Sequence, residues 1–396
     1  MTRKISQDVL QIEPELIEWR RHFHQYPELS FQEEETSAYI EEKLRGFGGI
    51  VVSRPTPTSV MGVITGKKPG RTIALRADID ALPIEEINDL PYASTRKGVM
   101  HACGHDGHAA ILLGTAKLLS GLSDQLFGEV RLLFQHAEEV PPGGAVEMVK
   151  AGVMDGVDEV YGLHLSSAYD TCTFGLRTGP LTAATDRFDI TIRGKGGHSA
   201  FPEGTVDPVV IGSHVIVALQ NIVSRQTAAI DMVVLSACQL SAGQAYNIIP
   251  ETMEITGSTR SFRPQIRQAL PEKIEQIVKG ITQSFGAGYD FTYSLGYAPV
   301  INDAGLMGQV EQIIADTFGP ESFTYIDPVM PGEDFSEFQA ECPGAFLELG
   351  TRNSEQGADR PHHNLNYKMD EAALAYGVEL FVALVKNRLA SERQAD

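Results

Sequence analysis

Three short apolar runs each end on residues that bind cations or carry protons, and that pairing limits what the chain can fold into. Residues 72–77 are followed by Asp78 and Asp80, residues 130–134 by His136, Glu138 and Glu139, and residues 160–163 by His164. Runs of this length, bounded by turn or polar residues, read as buried strands. Between the first two, Ile111, Leu112, Thr115, Leu118 and Leu119 share one face at helical spacing over residues 107–122. Strands alternating with helices predict an α/β layer: a mixed, mostly parallel sheet flanked by helices. Sites in such open sheets gather beyond the carboxyl ends of the strands, so three strands are expected to deliver ligands to one edge.

The pattern changes near Asp186. Phe188, Ile190 and Ile192 alternate with polar residues as a half-buried strand does. A helical stretch (206–225), two strand-like runs (232–240 and 248–262) and a second helix (264–285) follow. Phe291, Tyr293, Leu295 and Tyr297 then alternate across residues 289–297. The order β-α-β-β-α-β is the split, ferredoxin-like arrangement. The chain of 396 residues is therefore expected to hold a domain made of 1–185 and 298–396, interrupted by an inserted domain at 186–297.

Composition narrows the class. Apolar residues at 42% are enough for a sizeable core, and 32 basic against 52 acidic residues leave a net charge of -20. That balance disfavours nucleic acid and anionic membranes as partners. The four cysteines (Cys103, Cys172, Cys238, Cys342) contain no CxxC pair and make no disulfide framework, which points to a reducing compartment. The first 21 residues carry no apolar core of signal-peptide length, and no uninterrupted apolar stretch reaches the roughly 18 residues of a membrane span. A cytoplasmic protein is expected.

The densest chemistry lies in His101-Ala-Cys103-Gly-His105-Asp106-Gly-His108. Three histidines, a thiol and a carboxylate within eight residues suit a divalent transition metal. A structural zinc site would want a second Cys/His pair of matching spacing, and none exists. An open site completed by carboxylates and distant histidines is the better expectation. One of Glu138 and Glu139 can ligate while its neighbour acts as general base. Asp78 and Asp80 fit either strand-end caps or carboxylates that orient a ligand histidine. His164 and the His362-His363 doublet are weak signals by themselves. In the inserted domain, Gly194-Lys195-Gly196-Gly197-His198-Ser199 lacks the spacing of a phosphate-binding loop, but His198 can reach a developing oxyanion. Asn247 and Arg260 bracket the strand after a loop, and Arg260 can clamp a carboxylate. Each of these three is equally consistent with a structural role.

The segments MHACGHDGHAA, FQHAEE, YGLHL, GKGGHSAFPEGTVDPV and NIIPE resemble the dinuclear-metal amidohydrolases related to hippurate hydrolase, aminoacylase and auxin-conjugate hydrolases. RRHFHQYPELSFQEEET, ALRADIDALPIEE, PGEDFSEF and HHNLNYKMDE extend the resemblance, in order, over essentially the whole chain. The resemblance implies a zinc-exopeptidase-like catalytic domain carrying the inserted unit as a lid. It also implies two divalent ions (zinc, manganese, cobalt or nickel) on Cys103, His105, Glu139, His164 and His363, with Cys103 bridging. Glu138 would be the general base and Asp80 its supporting acid. His198, Asn247 and Arg260 would reach the oxyanion and the substrate carboxylate from the lid, which in the family often pairs into dimers. Two departures stand out. His136 replaces a common proline, and His363-Asn364-Leu365, preceded by His362, replaces His-Asn-Pro. Alignment with Tyr367 and Asp370-Glu371 selects His363.

The expected reaction is metal-dependent hydrolysis of an N-acyl amino acid to carboxylate and free amino acid, with Glu138 deprotonating a metal-activated water. A narrower biosynthetic N-acetyl-diamino-acid deacetylase and a dipeptide-cleaving carboxypeptidase share all these residues. A catalytically silent metal- or ligand-binding protein on the same fold is the rival from another class.

Overall fold

Side chains that are apolar on both faces of a strand can be satisfied only inside a covered sheet. Ile73, Ala74, Leu75, Val130, Leu132, Phe134 and Val160 are accordingly buried completely. In the structure, a computed structural model that describes residues 5–390, the Lys68–Asp78 strand runs parallel to both Phe127–Gln135 and Glu159–Asp170. Gly344–Arg352 continues the parallel run beyond Glu159–Asp170. Val51–Ser53 and Val60–Thr65 add antiparallel pairs on one side. On the other, Phe174–Leu176 pairs antiparallel with Gly344–Arg352 and parallel with Phe323–Tyr325, completing eight strands. The sheet is mixed and mostly parallel.

The register positions the site. Arg76 lies opposite Gly162 and Asp78 opposite Gln135, so Asp78 and His164 sit at one height across neighbouring strands. The third strand is longer than the apolar run suggested. It continues to Asp170, which leaves His164 inside a strand and not past its end. Helices Gln7–Gln25, His105–Ser120 and Ala372–Arg388 pack together in one core with the sheet. They approach closely: a Cβ on Gly377 would fall 2.6 Å from Ile111 Cδ1. His105–Ser120 starts directly after Gly104, whose φ of 96° turns the chain into the helix. Cys103 is thereby left on the turn, with His105 as the first helical residue. Of the described residues, the unit built this way takes in 5–181, Ile301–Asp327 and 334–390.

The second unit comprises Thr182–Val300 and Pro328–Glu333. Its four strands, Ala184–Arg193, Val233–Ala242, Thr252–Ser261 and Gly288–Leu295, pair antiparallel with Thr252–Ser261 and Ala184–Arg193 in the centre. Helices Pro208–Arg225 and Pro264–Ser284 complete the β-α-β-β-α-β order. Phe188, Ile190 and Ile192 face a core shared with Val215, Leu219, Ile274 and Val278. The last strand stops at Leu295, which is 67% exposed, so the alternation expected through Tyr297 ends early. Pro208–Arg225 is long and apolar enough by composition to cross a bilayer, but its Ile211, Val215, Leu219 and Ile222 stripe is buried in this core.

Candidate metal centre

Two sets of donor atoms meet at one sulfur. Cys103 Sγ lies 3.6 Å from His164 Nε2 and 3.9 Å from His362 Nδ1. Cys103, His105 and Glu139 form the other set, each within 4.8 Å of the rest. The other ring nitrogens of His105 and His164 are engaged elsewhere, so each of these two leaves Nε2 as its free face. His105 Nδ1 is held by the backbone carbonyl of Asp80 at 3.0 Å and by its Oδ1 at 3.1 Å. His164 Nδ1 donates to the Leu165 carbonyl at 2.8 Å, and the Ser167 N–H donates to His362 Nε2 at 3.3 Å.

A third grouping, Asp78 with His105 and His108, is an outer layer. His108 Nε2 accepts the Leu165 N–H at 2.8 Å, so its Nδ1 is the protonated nitrogen and donates to Asp78 Oδ1 at 2.5 Å. The other oxygen of Asp78 takes Arg76 at 2.6 Å. Arg76 also reaches Gln135 and Asp334, all of them buried. Both nitrogens of His108 and both oxygens of Asp78 are thus spent, and this chain of contacts ends on the peptide beside His164.

The electrostatics call for a cation. Burial works against protonating His105, yet Asp78, Asp80 and Glu139 outweigh it and raise its pKa to about 10. Burial, then Glu139, Glu138 and Asp78, push the Cys103 thiol well above its ordinary value. Burial keeps His164 and His362 neutral, the latter near a pKa of about 3. His105 Nε2 is buried without a hydrogen bond, and Glu139 Oε1 is buried with only the His363 ring beside it, which is costly unless something binds them. A thiol that ionises only beside positive charge, the neutral imidazole of His164 and the buried Glu139 carboxylate fit divalent ions at the two donor sets.

Several expected residues fall differently. His362, not His363, faces Cys103. His363 has a φ of 61°, which turns its ring toward Glu139, with Nε2 3.3 Å from Oε1. Asp80 Oδ2 accepts the Glu139 N–H at 3.0 Å and the Ser30 hydroxyl at 2.7 Å, which ties it to the peptide that follows Glu138. His136 points away from the donor sets, with Nε2 3.1 Å from Glu147. His101 is buried with neither ring nitrogen partnered, and burial lowers its pKa to about 4. Asp106 is buried against Arg20 at 2.9 Å and His24 at 2.8 Å. Ser30, Arg76, Gln135 and Asp334 support the centre and were assigned no role from sequence. The motifs RRHFHQYPELSFQEEET, ALRADIDALPIEE, FQHAEE and PGEDFSEF contain all four of them, but residue type alone gives none of them a task.

In the second unit, Ile248 pairs with His198, and the Ser199 N–H donates to the Asn247 carbonyl at 3.1 Å. His198 Nδ1 accepts the Ala200 N–H at 3.0 Å, so its exposed Nε2 carries the proton and can donate. Arg260 is remote from both. It pairs with Thr185, whereas Thr252, near the His198 end, pairs with Arg193. Thr252 and Arg260 are about 26 Å apart at roughly 3.3 Å per residue.

Peptidase family M20/M25/M40 matches residues 74–387. An N-acyl-L-amino acid amidohydrolase of Geobacillus stearothermophilus is 53% identical over 76% of this chain and 82% of the relative. Thermostable carboxypeptidase 1 of Saccharolobus solfataricus is 40% identical over 95% of this chain and 96% of its own. The crystal structure of a Bacillus subtilis dinuclear metal-binding M20 peptidase superposes with a TM-score of 0.85 at 35% identity, covering 96% of this chain and 99% of the other.

Proposed function

This chain belongs to peptidase family M20/M25/M40 and hydrolyses amide bonds, and we propose that its substrates are N-acyl amino acids, cleaved to a carboxylate and the free amino acid. The observation that carries the reading is the pair of donor sets joined at Cys103 Sγ, with Glu138 next in the chain to Glu139 of one set. Cys103, His105 and Glu139 would hold one ion; Cys103 and His164, with one ring of the His362-His363 pair, would hold the other. Zinc, manganese, cobalt and nickel all suit this mixture of thiolate, imidazole and carboxylate. Divalent ions held by these residues would supply polarisation of an amide carbonyl and a more acidic water.

The chain's own groups do the rest. Glu138 takes the proton of the attacking water and returns it to the leaving amine. His198 donates its Nε2 proton to the oxyanion, and Arg260 grips the substrate carboxylate with two parallel hydrogen bonds. Asn247 holds the His198 turn through its carbonyl. The separation of Arg260 from His198 within one copy supports a homodimer in which one small substrate meets His198 of one copy and Arg260 of the other. Four free cysteines, one of them a ligand, support a reducing cytoplasmic setting.

The test is a hydrolysis screen of the protein loaded separately with each of the four metals. Substrates are N-acetyl, N-benzoyl and long-chain N-acyl amino acids, together with dipeptides. Glu138→Gln should retain its metal and lose about 10³-fold or more in kcat. Dipeptide cleavage outpacing every N-acyl amino acid would replace this reading with a carboxypeptidase. Full metal loading with no turnover on any substrate would end the hydrolase reading.

A further inference from the structure

We infer that Glu33 is a positioning residue of the hydrolytic site, its carboxylate holding the turn that presents Glu138 and Glu139. The side chain is completely buried. Its Oε1 accepts the backbone N–H of Ala137 at 2.8 Å and that of Phe31 at 3.0 Å. Ala137 and Phe31 are two of only four non-glycine residues with positive φ among the described residues, at 51° and 66°. A side chain disfavours that left-handed conformation, so it persists only where the surroundings impose it. One carboxylate oxygen therefore ties together two strained peptides, and one of them immediately precedes Glu138.

Glu33 precedes the Glu34–Phe47 helix, where a carboxylate would ordinarily cap the first turn, but its side chain makes no capping hydrogen bond. It reaches out of its own element to Ala137 instead. The far side of Ala137 is fixed as well, since its carbonyl accepts the Gly144 N–H at 3.1 Å. The same segment braces Asp80 through the Ser30 hydroxyl and through the Ala81 N–H, which donates to the Glu28 carbonyl at 2.8 Å. Residues 28–33 thus grip both turns that carry the hydrolytic carboxylates. Burial first, then Asp80, raise the Glu33 pKa to about 7, against the pull of the Ala137 N–H. A neutral amide of the same shape is therefore a close substitute for the acceptor.

The inference rests on the proposed hydrolysis, so its test has one readout that needs turnover and one that does not. Wild type, Glu33→Ala and Glu33→Gln, each with metal content measured, are compared on an N-acetyl amino acid. Glu33→Ala should lower kcat about 10- to 100-fold, with KM within about twofold and both metals retained. Glu33→Gln keeps the acceptor oxygen and should stay within about threefold of wild type. Hydrogen exchange at the Ala137 amide should be slow in wild type and Glu33→Gln and fast in Glu33→Ala. Unchanged kcat in Glu33→Ala, an equal loss in both variants, or a loss that tracks missing metal overturns the assignment. If Glu33→Ala does not fold, Glu33→Gln decides: near-wild-type kcat with a protected Ala137 amide supports the role, and a collapse in kcat overturns it. If wild type cleaves no amide, the hydrolysis reading falls by itself. The exchange result then stands alone, and an Ala137 amide still protected in Glu33→Ala removes the brace.

Discussion

The two histidines at 362 and 363 show how far residue types alone can be read. Counting back from Tyr367 and Asp370-Glu371 selects His363, yet the ring that meets Cys103 belongs to His362. The reason is one backbone angle: a φ of 61° at His363 turns successive side chains in a direction that extended chain would not. Nothing in a histidine's identity announces positive φ, as a glycine would. The same blindness hid Ala137. The donor chemistry was legible, since Cys103, His105, Glu139 and His164 all meet where the motifs suggested; the exact neighbour at the doublet was not. His362→Ala should therefore lower the bound metal from two ions to one per chain after dialysis against a weak chelator. His363→Ala should keep both, because its ring meets Glu139 from the half-exposed side. Elemental analysis of the dialysed variants reads this directly, and the opposite pattern would restore His363 as the ligand.

Among elements, periodicity was a good guide to type and a poor one to extent. The inserted unit's strand and helix order could be read because every strand there has one wet face, which makes the alternation visible. The Glu159–Asp170 strand was cut short at Leu163 because its second half, Leu165 to Asp170, mixes serine, alanine and tyrosine without an apolar run. Polar tethers between helices were invisible, since they depend on residues far apart in sequence. Asp106 is the clearest: it fastens the start of His105–Ser120 to Arg20 and His24 of Gln7–Gln25 in a region closed to water. Removing its charge leaves buried Arg20 with only Glu371, 3.3 Å away, to compensate it, and Asp106→Asn should cost about 3 kcal/mol in urea unfolding at pH 7. Burial opposes ionisation of Asp106, but Arg20 and His24 hold its folded pKa below the unfolded one. A depressed acid stabilises above its unfolded pKa, near 4, and loses that contribution as pH falls further. Burial opposes protonation of His24, but Asp106 also raises its pKa, so the gap between wild type and Asp106→Asn should widen as pH falls from 7 to about 5.5 and narrow below about 4. A gap of less than about 1 kcal/mol at pH 7 would mean that water reaches the pair.

For the whole molecule, the decisive number is the length of the second unit's central strand. Arg260 pairs with Thr185 at one end, and His198 pairs with Ile248 beyond the other. The roughly 26 Å between Thr252 and Arg260 exceeds what one N-acyl amino acid spans. If both residues serve one substrate, two copies must share the work, and a two-fold dimer supplies that reciprocity. The surface offers means of association. Val233–Ala242 is an edge strand with Leu240 55% exposed, and Val217 and Ile230 of the same unit are 70% and 84% exposed. An edge with unpaired backbone groups and apolar neighbours is a template for a second copy. The arrangement predicts complementation between two inactive proteins. Glu138→Gln carries an intact His198, and His198→Ala carries an intact Glu138. After the two are unfolded together and refolded in equal amounts, half of the dimers are hybrids, each holding one site with both groups intact. Activity should recover to about a quarter of wild type. Each variant refolded alone should remain inactive. No recovery in a mixture shown by native mass spectrometry to contain hybrid dimers would mean that His198 serves its own copy, and the separation within one copy would then make Arg260 the group that the partner supplies.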